Sequence, residues 1–236
     1  MSNMKSLFCF LIVSLMMPSA MFSQSINKLT AKEKKDGWVL LFDGMGTSGW
    51  ITPAGAPAPA GWVVDKGILT KTAGRPGDIM TANEYSDFEL VADYNITSGG
   101  NNGIKYFYHK YDKGGNLGME YQILDDKLAE DNKVKNHLVG SFYDVFVPNE
   151  SIKKVNPPGE WNSIRIVSKG KHVEHWLNGV KILEFERGSK AYNEGVAKSK
   201  FSKAEPEFGM VEKGHIMLTD HESVCSFRNI KIRVLK

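Results

Sequence analysis

Short runs of β-branched and aromatic residues, closed by glycine, proline, asparagine or aspartate, recur along most of this chain. "DFELVADYNIT", "GIKYFYHKY" and "WNSIRIVSKG" are typical, and many of the runs alternate between apolar and polar residues. Alternation with a period of two places every second side chain on one face of a strand, so each run can bury one face and expose the other. Many short strands with frequent turn signals are typical of a β-sandwich or jelly roll. The pattern therefore predicts an all-β fold of two antiparallel sheets.

The segment "HVEHWLNGVKILEF" carries the clearest local signal. Asn178 and Gly179 separate two apolar-alternating runs, and Asn-Gly is the favoured pair for a two-residue type I′ turn. We therefore predict a β-hairpin that turns at these two residues. Short helices are predicted at most near Thr30, which has capping-box spacing to Glu33, and near residue 190, where a Lys-rich stretch fits a short helix or a long loop.

The first two dozen residues have the composition of a secretory signal peptide. Lys5 precedes an apolar run that is followed by small and polar residues, and the run is about half of the roughly 20 residues that span a bilayer. We assign residues 1–24 to a signal peptide, 25–36 to a polar N-terminal segment and 37–236 to a single β-sandwich domain. Loss of Cys9 with the leader leaves Cys225 alone, so no intramolecular disulfide is expected. We expect an exported protein with no membrane insertion after cleavage.

Charge and motifs narrow the function. The net charge of +3 is small and Lys and Glu are interleaved, so neither nucleic acid nor a membrane surface is an expected partner. The sequence lacks a GxSxG elbow, a Walker loop, an HExxH pair and a cysteine metal cluster, which sets aside the chemistries built on them. No cofactor is indicated, but a divalent cation such as calcium between strand loops stays open, with its ligand residues unknown.

Polar side chains interrupt the strand "GMEYQILDD". If this segment is extended, Glu120 and Gln122 share one face and Tyr121 packs on the other, with Asp125 at the strand end. Such a face could contact a polar ligand, although a solvated acidic face is the alternative. In "GGNNGIKYFY" two glycines precede Asn101 and Asn102, where a plain turn is the alternative to a binding role.

A histidine between two acids makes "HIMLTDHESV" the best general acid or base candidate. His221 is flanked by Asp220 and Glu222, and imidazole titrates near neutral pH. Strand alternation would place His221 on the same face as Thr219 and opposite to Asp220. The competing interpretation is a structural histidine.

A fourth polar segment, "HLVGSFYDVF", offers His137, Tyr143 and Asp144. Tyr143 could donate a hydrogen bond to a sugar oxygen, whereas a buried tyrosine bonded to the backbone is the commoner case.

Taken together, these motifs resemble the family of 3-keto-disaccharide hydrolases. The resemblance rests on "GWVLLFDGMGTSGW", "NNGIKY", "GMEYQILDD", "PPGEWNSIRI", "VEHWLNG" and "IMLTDHESVCSFRNIKI", which follow in the family's order from about Gly37 to the C-terminus. It implies a concanavalin A-like jelly roll and a carbohydrate or glycoside substrate. It also implies a periplasmic or extracellular location in a Gram-negative bacterium.

Two departures from the family pattern concern the site. Asn102 stands where the family usually has serine, and Thr219 and Glu222 replace a glutamine and a glycine, so the substrate can differ from that of other members. The catalytic candidates are His221, Glu120 and Asp125; the substrate-binding candidates are Gln122, Asn101, Asn102, Tyr143, Lys105 and Trp62.

The resemblance also implies a reaction. A ketone at C3 of a sugar acidifies the proton on C2, so a base can remove that proton and expel the C1 substituent, after which water adds across the enone. The net result is hydrolysis without an oxocarbenium ion. A conventional glycosidase with two carboxyl groups about 5 to 9.5 Å apart and a non-catalytic carbohydrate-binding module, with Trp62 or Tyr106 as aromatic platform, are the alternatives. A structural adhesin is a third.

Overall fold

The computed structural model describes residues 26–113, 115–204 and 207–236; the predicted signal peptide lies outside this part of the chain. The strands are β1 (Val39–Leu40), β2 (Trp50–Ile51), β3 (Trp62–Asp65), β4 (Ile68–Lys71), β5 (Ile79–Tyr85), β6 (Phe88–Ile96), β7 (Asn101–Tyr111), β8 (Gly115–Leu124), β9 (Asn162–Lys169), β10 (His172–Leu177), β11 (Val180–Glu186), β12 (Gly214–Leu218) and β13 (Cys225–Val234). The helices are α1 (Ala31–Lys35), α2 (Lys190–Lys198) and the 3₁₀ turns Lys135–His137 and Ser202–Ala204.

The strands form two sheets, and every strand pair within them is antiparallel. The eight-stranded sheet has the order β11, β10, β9, β6, β13, β4, β3, with β1 paired to β13; the five-stranded sheet has the order β2, β5, β12, β7, β8. Of the described residues, 42% are in strands and 10% in helices, so the predicted all-β fold of two antiparallel sheets is confirmed.

Alternation along the strands builds one core between the sheets. In β6 every second residue from Phe88 to Ile96 is buried, and Tyr121 and Ile123 of β8 are fully buried opposite them. The non-core face of β8 carries Glu120 and Gln122, as the alternation predicted. The outer face of the five-stranded sheet is therefore where polar groups can gather.

The local turn predictions are also confirmed. Residues 178 and 179 connect β10 to β11 with φ of 48° and 81°, and positive φ at both positions is what a type I′ turn requires. At α1 the Thr30 hydroxyl accepts from the Glu33 N–H and the Glu33 carboxylate accepts from the Thr30 N–H, which is the predicted capping box. The Lys-rich stretch near residue 190 forms the short helix α2 rather than a long loop.

Within the described residues, no helix has the length and apolar character needed to span a bilayer. Cys225 is a free, fully buried thiol.

Candidate active site

Two rows of side chains cross the outer face of the five-stranded sheet. In the first row Glu120 lies opposite Lys105, Lys105 opposite Met217, and Met217 opposite Met80. Residues opposite each other in antiparallel strands share a face and are about 5 Å apart. The row is therefore charged at the β8 and β7 end and apolar at the β12 and β5 end.

The second row is polar. Gln122 lies opposite Gly103, and Thr219 donates to the Gly103 carbonyl from both its N–H and its hydroxyl, at 3.0 and 3.1 Å. The Gln122 amide donates to Asn101 Oδ1 at 3.3 Å. Amide groups here can orient sugar hydroxyls beside the charged end of the first row.

Gly103 gives the Glu120 side chain its position. A Cβ at residue 103 would meet Glu120 Oε1 at 2.2 Å, so the carboxylate lies directly over the glycine, where any other residue would obstruct it. Glu120 is only 3% exposed, and among the described residues no hydrogen bond or ion pair reaches its carboxylate. A nearly buried carboxylate without a partner is available to a ligand.

His221 lies three residues beyond the end of β12, in the connection to β13, rather than on the strand that the alternation predicted. Burial lowers the pKa of His221, opposed by the Glu120 and Asp78 carboxylates and reinforced by the cations Lys105 and Lys200. His221 and Glu120 therefore interact electrostatically and belong to one cluster of charged groups. The imidazole is held in its neutral form near pH 7, which suits a base.

Tyr143 extends the cluster on the side of β8. Its backbone N–H donates to the Glu120 carbonyl at 3.0 Å and its hydroxyl donates to Asp131 Oδ2 at 2.9 Å. His137 stacks on the Tyr143 ring and hydrogen-bonds Asp131 and Asp144 through its two nitrogens, at 2.7 and 3.2 Å. Burial, together with the hydrogen bond to Asp131, raises the pKa of Tyr143, so the phenol stays protonated.

Lys200 completes the cluster from the segment that follows α2. The Lys200 Nζ lies 4.0 Å from the centre of the Tyr143 ring, and the backbone N–H of Lys200 donates to Asp144 Oδ2 at 2.7 Å. Burial lowers the pKa of Lys200, while Glu120 opposes this effect. Lys200 could not be picked out from the sequence, because nothing in its Lys-rich segment distinguishes this lysine from surface lysines. Asp131 and Asp78 lie in loops and were missed as well.

Asp125 was predicted as a catalytic candidate and instead holds a loop together. Its carboxylate accepts the backbone N–H groups of Gly99, Lys127 and Leu128 at 2.8, 3.0 and 3.3 Å. Although burial opposes the shift, these hydrogen bonds lower the pKa of Asp125. Both carboxylate oxygens of Asp125 accept hydrogen bonds from the backbone, so the prediction of a catalytic role is replaced by a structural one.

Two substrate-binding candidates are also corrected. Asn102 is fully buried on the core side of β7, where its amide donates to the Thr219 carbonyl at 3.0 Å and its oxygen accepts from the Gly103 N–H. Trp62 lies in the core of the sandwich, stacked on Phe227, and its indole N–H donates to a backbone carbonyl at 2.8 Å. Neither side chain can serve a ligand on the outer face. The alternative platform, Tyr106, is fully buried as well.

The sequence left a divalent cation open, and among the described residues no cluster of candidate ligands lies on this face. In residues 26–113, 115–204 and 207–236, His172, Glu174 and Glu184 bring potential ligand atoms within 4.8 Å of one another, but they lie on β10 and β11 in the other sheet. Lys181 already bonds Glu174 and Glu184 there. Whether the protein binds a cation therefore stays open, as the sequence left it.

The sequence and the fold match known proteins over most of the chain. Residues 37–233 match the family of the 3-keto-alpha-glucoside-1,2-lyase-like domain. A "3-keto-disaccharide hydrolase" of Bacteroides thetaiotaomicron is 29% identical over an alignment 236 positions long, gaps included, which covers 85% of this chain and 79% of the relative. A "putative glycosyl hydrolase" from Parabacteroides distasonis superposes with a TM-score of 0.80 at 34% identity, covering 89% of this chain and all of that one. A second protein of the same description and organism gives 0.68 at 27% identity, covering 84% and 99%.

Proposed function

The chain belongs to the family of 3-keto-alpha-glucoside-1,2-lyase-like domains, and on that premise we propose that it is a glycosidase that cleaves 3-keto-glycosides by elimination and hydration. One observation carries the proposal: the nearly buried, unpartnered Glu120 carboxylate stands in one cluster with the neutral imidazole of His221 and two lysines. The predicted signal peptide further supports an enzyme that is exported and acts on carbohydrate outside the cytoplasm.

The proposed reaction needs a base for the C2 proton. His221 is uncharged near neutral pH and can accept this proton, whereas a carboxylate is a weaker base at that pH. As the proton leaves, a double bond forms between C1 and C2, and the electron pair of the C1–O bond goes to the leaving oxygen, which takes up a proton. Water then adds its hydroxyl at C1 and a proton at C2.

Charge also develops on the substrate during this step. Removal of the C2 proton places negative charge on the C3 oxygen, and the cations of Lys105 and Lys200 lie where they can stabilise it, because fixed charges aimed at developing charge lower the barrier. Gln122 and Asn101 are proposed to orient sugar hydroxyls. Glu120 is the alternative base. If His221 is the base, Glu120 balances the positive charge of the two lysines and opposes the lowering of the His221 pKa, so that the imidazole can still accept a proton.

A conventional two-carboxylate mechanism fits the cluster less well. Such an enzyme needs two carboxyl groups free to act on opposite sides of the bond. The carboxylates near Glu120 are occupied: Asp131 and Asp144 bond His137, and Asp78 accepts the Asp220 N–H at 2.6 Å. The elimination route requires only a base, an acid and cations.

The test is to incubate the enzyme with a 3-keto-glucoside and, separately, with its unoxidised parent, and to follow release of the leaving group. Rapid release from the 3-keto compound alone is expected. Equal release from both compounds would show a conventional glycosidase.

Two variants then assign the base. Loss of a general base typically lowers the rate by about 10² to 10⁴, so His221→Ala is expected to reduce kcat by that range, and Glu120→Gln by less. Gln122→Ala is expected to act mainly on KM. Normal turnover by His221→Ala combined with loss of turnover in Glu120→Gln would transfer the role of base to Glu120.

A further inference from the structure

Two connections between the sheets run side by side next to the candidate site. β4 pairs with β13 in the eight-stranded sheet, while β5 pairs with β12 in the five-stranded sheet. The segment 72–78, from β4 to β5, and the segment 219–224, from β12 to β13, therefore cross from one sheet to the other at the same place. The second segment carries His221.

A buried ion pair joins these two connections. The Nζ of Lys71, the last residue of β4, lies 3.3 Å from Asp220 Oδ1, and the two side chains are 0% and 8% exposed. Lys71 also donates to the Gly74 carbonyl at 2.8 Å. Buried charges are costly unless they are paired and hydrogen-bonded, so Lys71 and Asp220 depend on each other.

Asp220 makes two further bonds to the neighbouring connection. Its Oδ2 accepts the Gly77 N–H at 2.6 Å, and its own N–H donates to Asp78 Oδ1 at 2.6 Å. Backbone and side chain of Asp220 are thus both held, immediately before His221 in the chain. Little freedom is left for the peptide that sets the direction of the imidazole.

We propose that Lys71 is a positioning residue, whose ion pair with Asp220 fixes the 219–224 connection and so holds the His221 imidazole beside Glu120. The inference rests on the proposed function, in which His221 acts as base. Sequence reasoning gave no sign of this role, because Lys71 and Asp220 are distant in the chain and Lys71 stands in an ordinary strand pattern.

Stability and positioning can be separated by experiment. Removal of one member of a buried pair leaves an uncompensated charge and destabilises a protein, whereas apolar replacement of both is often neutral. Lys71→Met alone is expected to lower Tm. The double variant Lys71→Met with Asp220→Leu removes both charges and is expected to regain part of the lost Tm, but not all of it, because the Gly77 N–H loses its acceptor. Its kcat on a 3-keto-glucoside is expected to stay about ten- to a hundredfold below wild type with little change in KM, since a small misplacement costs about that much.

A matched control uses the exposed ion pair between the same two connections. Arg75 and Glu222 lie 3.2 Å apart, with side chains 66% and 76% exposed, and exposed pairs contribute little. Arg75→Met is expected to leave both Tm and kcat unchanged. A double variant with the Tm and kcat of the wild type would overturn the proposal, because Lys71 would then serve folding alone.

A second measurement reports on His221 without any turnover. In ¹⁵N-histidine NMR spectra, with the His221 signals identified through His221→Ala, the imidazole is expected to shift or broaden in the double variant and in Asp220→Asn, which keeps the side chain's shape. Signals unchanged from wild type in both variants would contradict the positioning role. If the wild-type enzyme cleaved no 3-keto-glucoside, the proposed function would fail while these spectra still decided the role of Lys71.

Discussion

At the scale of single residues, the proposed chemistry depends on how close the Glu120 carboxylate can come to the backbone of β7. Gly103 permits this approach, because a Cβ there would lie 2.2 Å from Glu120 Oε1. The atom in the way is the far end of a flexible side chain, so the fold can adjust but the carboxylate has to move. Glycine at this position therefore matters more for the placement of the Glu120 carboxylate than for the stability of the sheet.

Gly103→Ala tests this directly. We expect kcat on a 3-keto-glucoside to fall about tenfold or more, because the carboxylate is displaced, with only a small change in Tm. Gly46→Ala is the control, since a Cβ at residue 46 meets no atom within 4 Å; it should leave both quantities unaltered. Wild-type turnover in Gly103→Ala would mean that the observed position of Glu120 has no bearing on the rate.

In the proposed mechanism, the protonation of His221 sets the pH dependence of the reaction. Burial lowers the pKa of His221 from 6.5; among the charged groups that act on the ring, Glu120 and Asp78 raise this pKa and Lys105 and Lys200 lower it. A base must be unprotonated, so kcat/KM should be level around pH 7 to 8 and fall at acid pH with a midpoint below 6.5. Glu120→Gln removes an anion and should move this midpoint lower still. A pH–rate profile with its midpoint above 6.5, or one that Glu120→Gln moves upward, would contradict this assignment.

At the scale of strands and turns, alternation predicted which residues share a face and could not predict what comes from elsewhere. Glu120 and Gln122 lie where the period of two placed them. His221 lies in a connection, and Lys200 arrives from a segment after α2 whose position depends on tertiary packing. Trp62 was misplaced because an aromatic residue in a strand pattern fits a core and a sugar platform equally well.

The hairpin between β10 and β11 offers a prediction at this scale. Gly179 has φ of 81°, and a Cβ at this position would contact no atom within 4 Å. Gly179→Ala therefore costs backbone conformational energy but causes no steric clash. Residues other than glycine lose about 1 to 2 kcal/mol in this region. The free energy of unfolding, measured by urea denaturation, should fall by about that amount while turnover stays normal. A loss of turnover without a loss of stability would link the hairpin to the site.

At the scale of the whole molecule, a buried histidine that bridges the two sheets makes the stability of the fold depend on pH. His175 of β10 donates from Nδ1 to the Gly140 carbonyl at 2.9 Å, and Nε2 of the neutral ring accepts from the Tyr106 hydroxyl of β7 at 2.8 Å. Burial lowers the pKa of His175 to about 4. Between pH 6.5 and about 4 the unfolded chain therefore binds a proton that the folded protein excludes, so stability is lost as the pH falls through this window.

His175→Gln should reveal this contribution. A difference of about 2.5 pKa units corresponds to roughly 3 kcal/mol at 1.36 kcal/mol per unit. The variant is expected to be less stable than wild type at pH 7, and the gap should narrow by roughly that amount toward pH 4, as measured by denaturant unfolding at each pH. A gap that stays constant with pH would show that His175 does not exclude the proton.

The two-sheet architecture was predictable from the sequence because each strand carries its own period and its own turn signals. The site was predictable only in part, since it combines residues of the two strands β7 and β8 with groups from four connections, and no local pattern records which connections meet. Lys71 and Asp220 illustrate the limit: their pairing follows from two connections crossing between the sheets at one place.

The central claim is that the C2 proton of the substrate is removed during cleavage, and solvent deuterium tests it most directly. A 3-keto-glucoside is cleaved in D₂O and the C2 position of the released sugar is examined by NMR at early times, with 3-keto-glucose incubated alone to correct for spontaneous exchange. Elimination followed by hydration predicts one deuterium at C2 for every bond cleaved, and loss of both cleavage and incorporation in His221→Ala. Cleavage that leaves the original proton on C2 would contradict the mechanism and indicate direct displacement at C1.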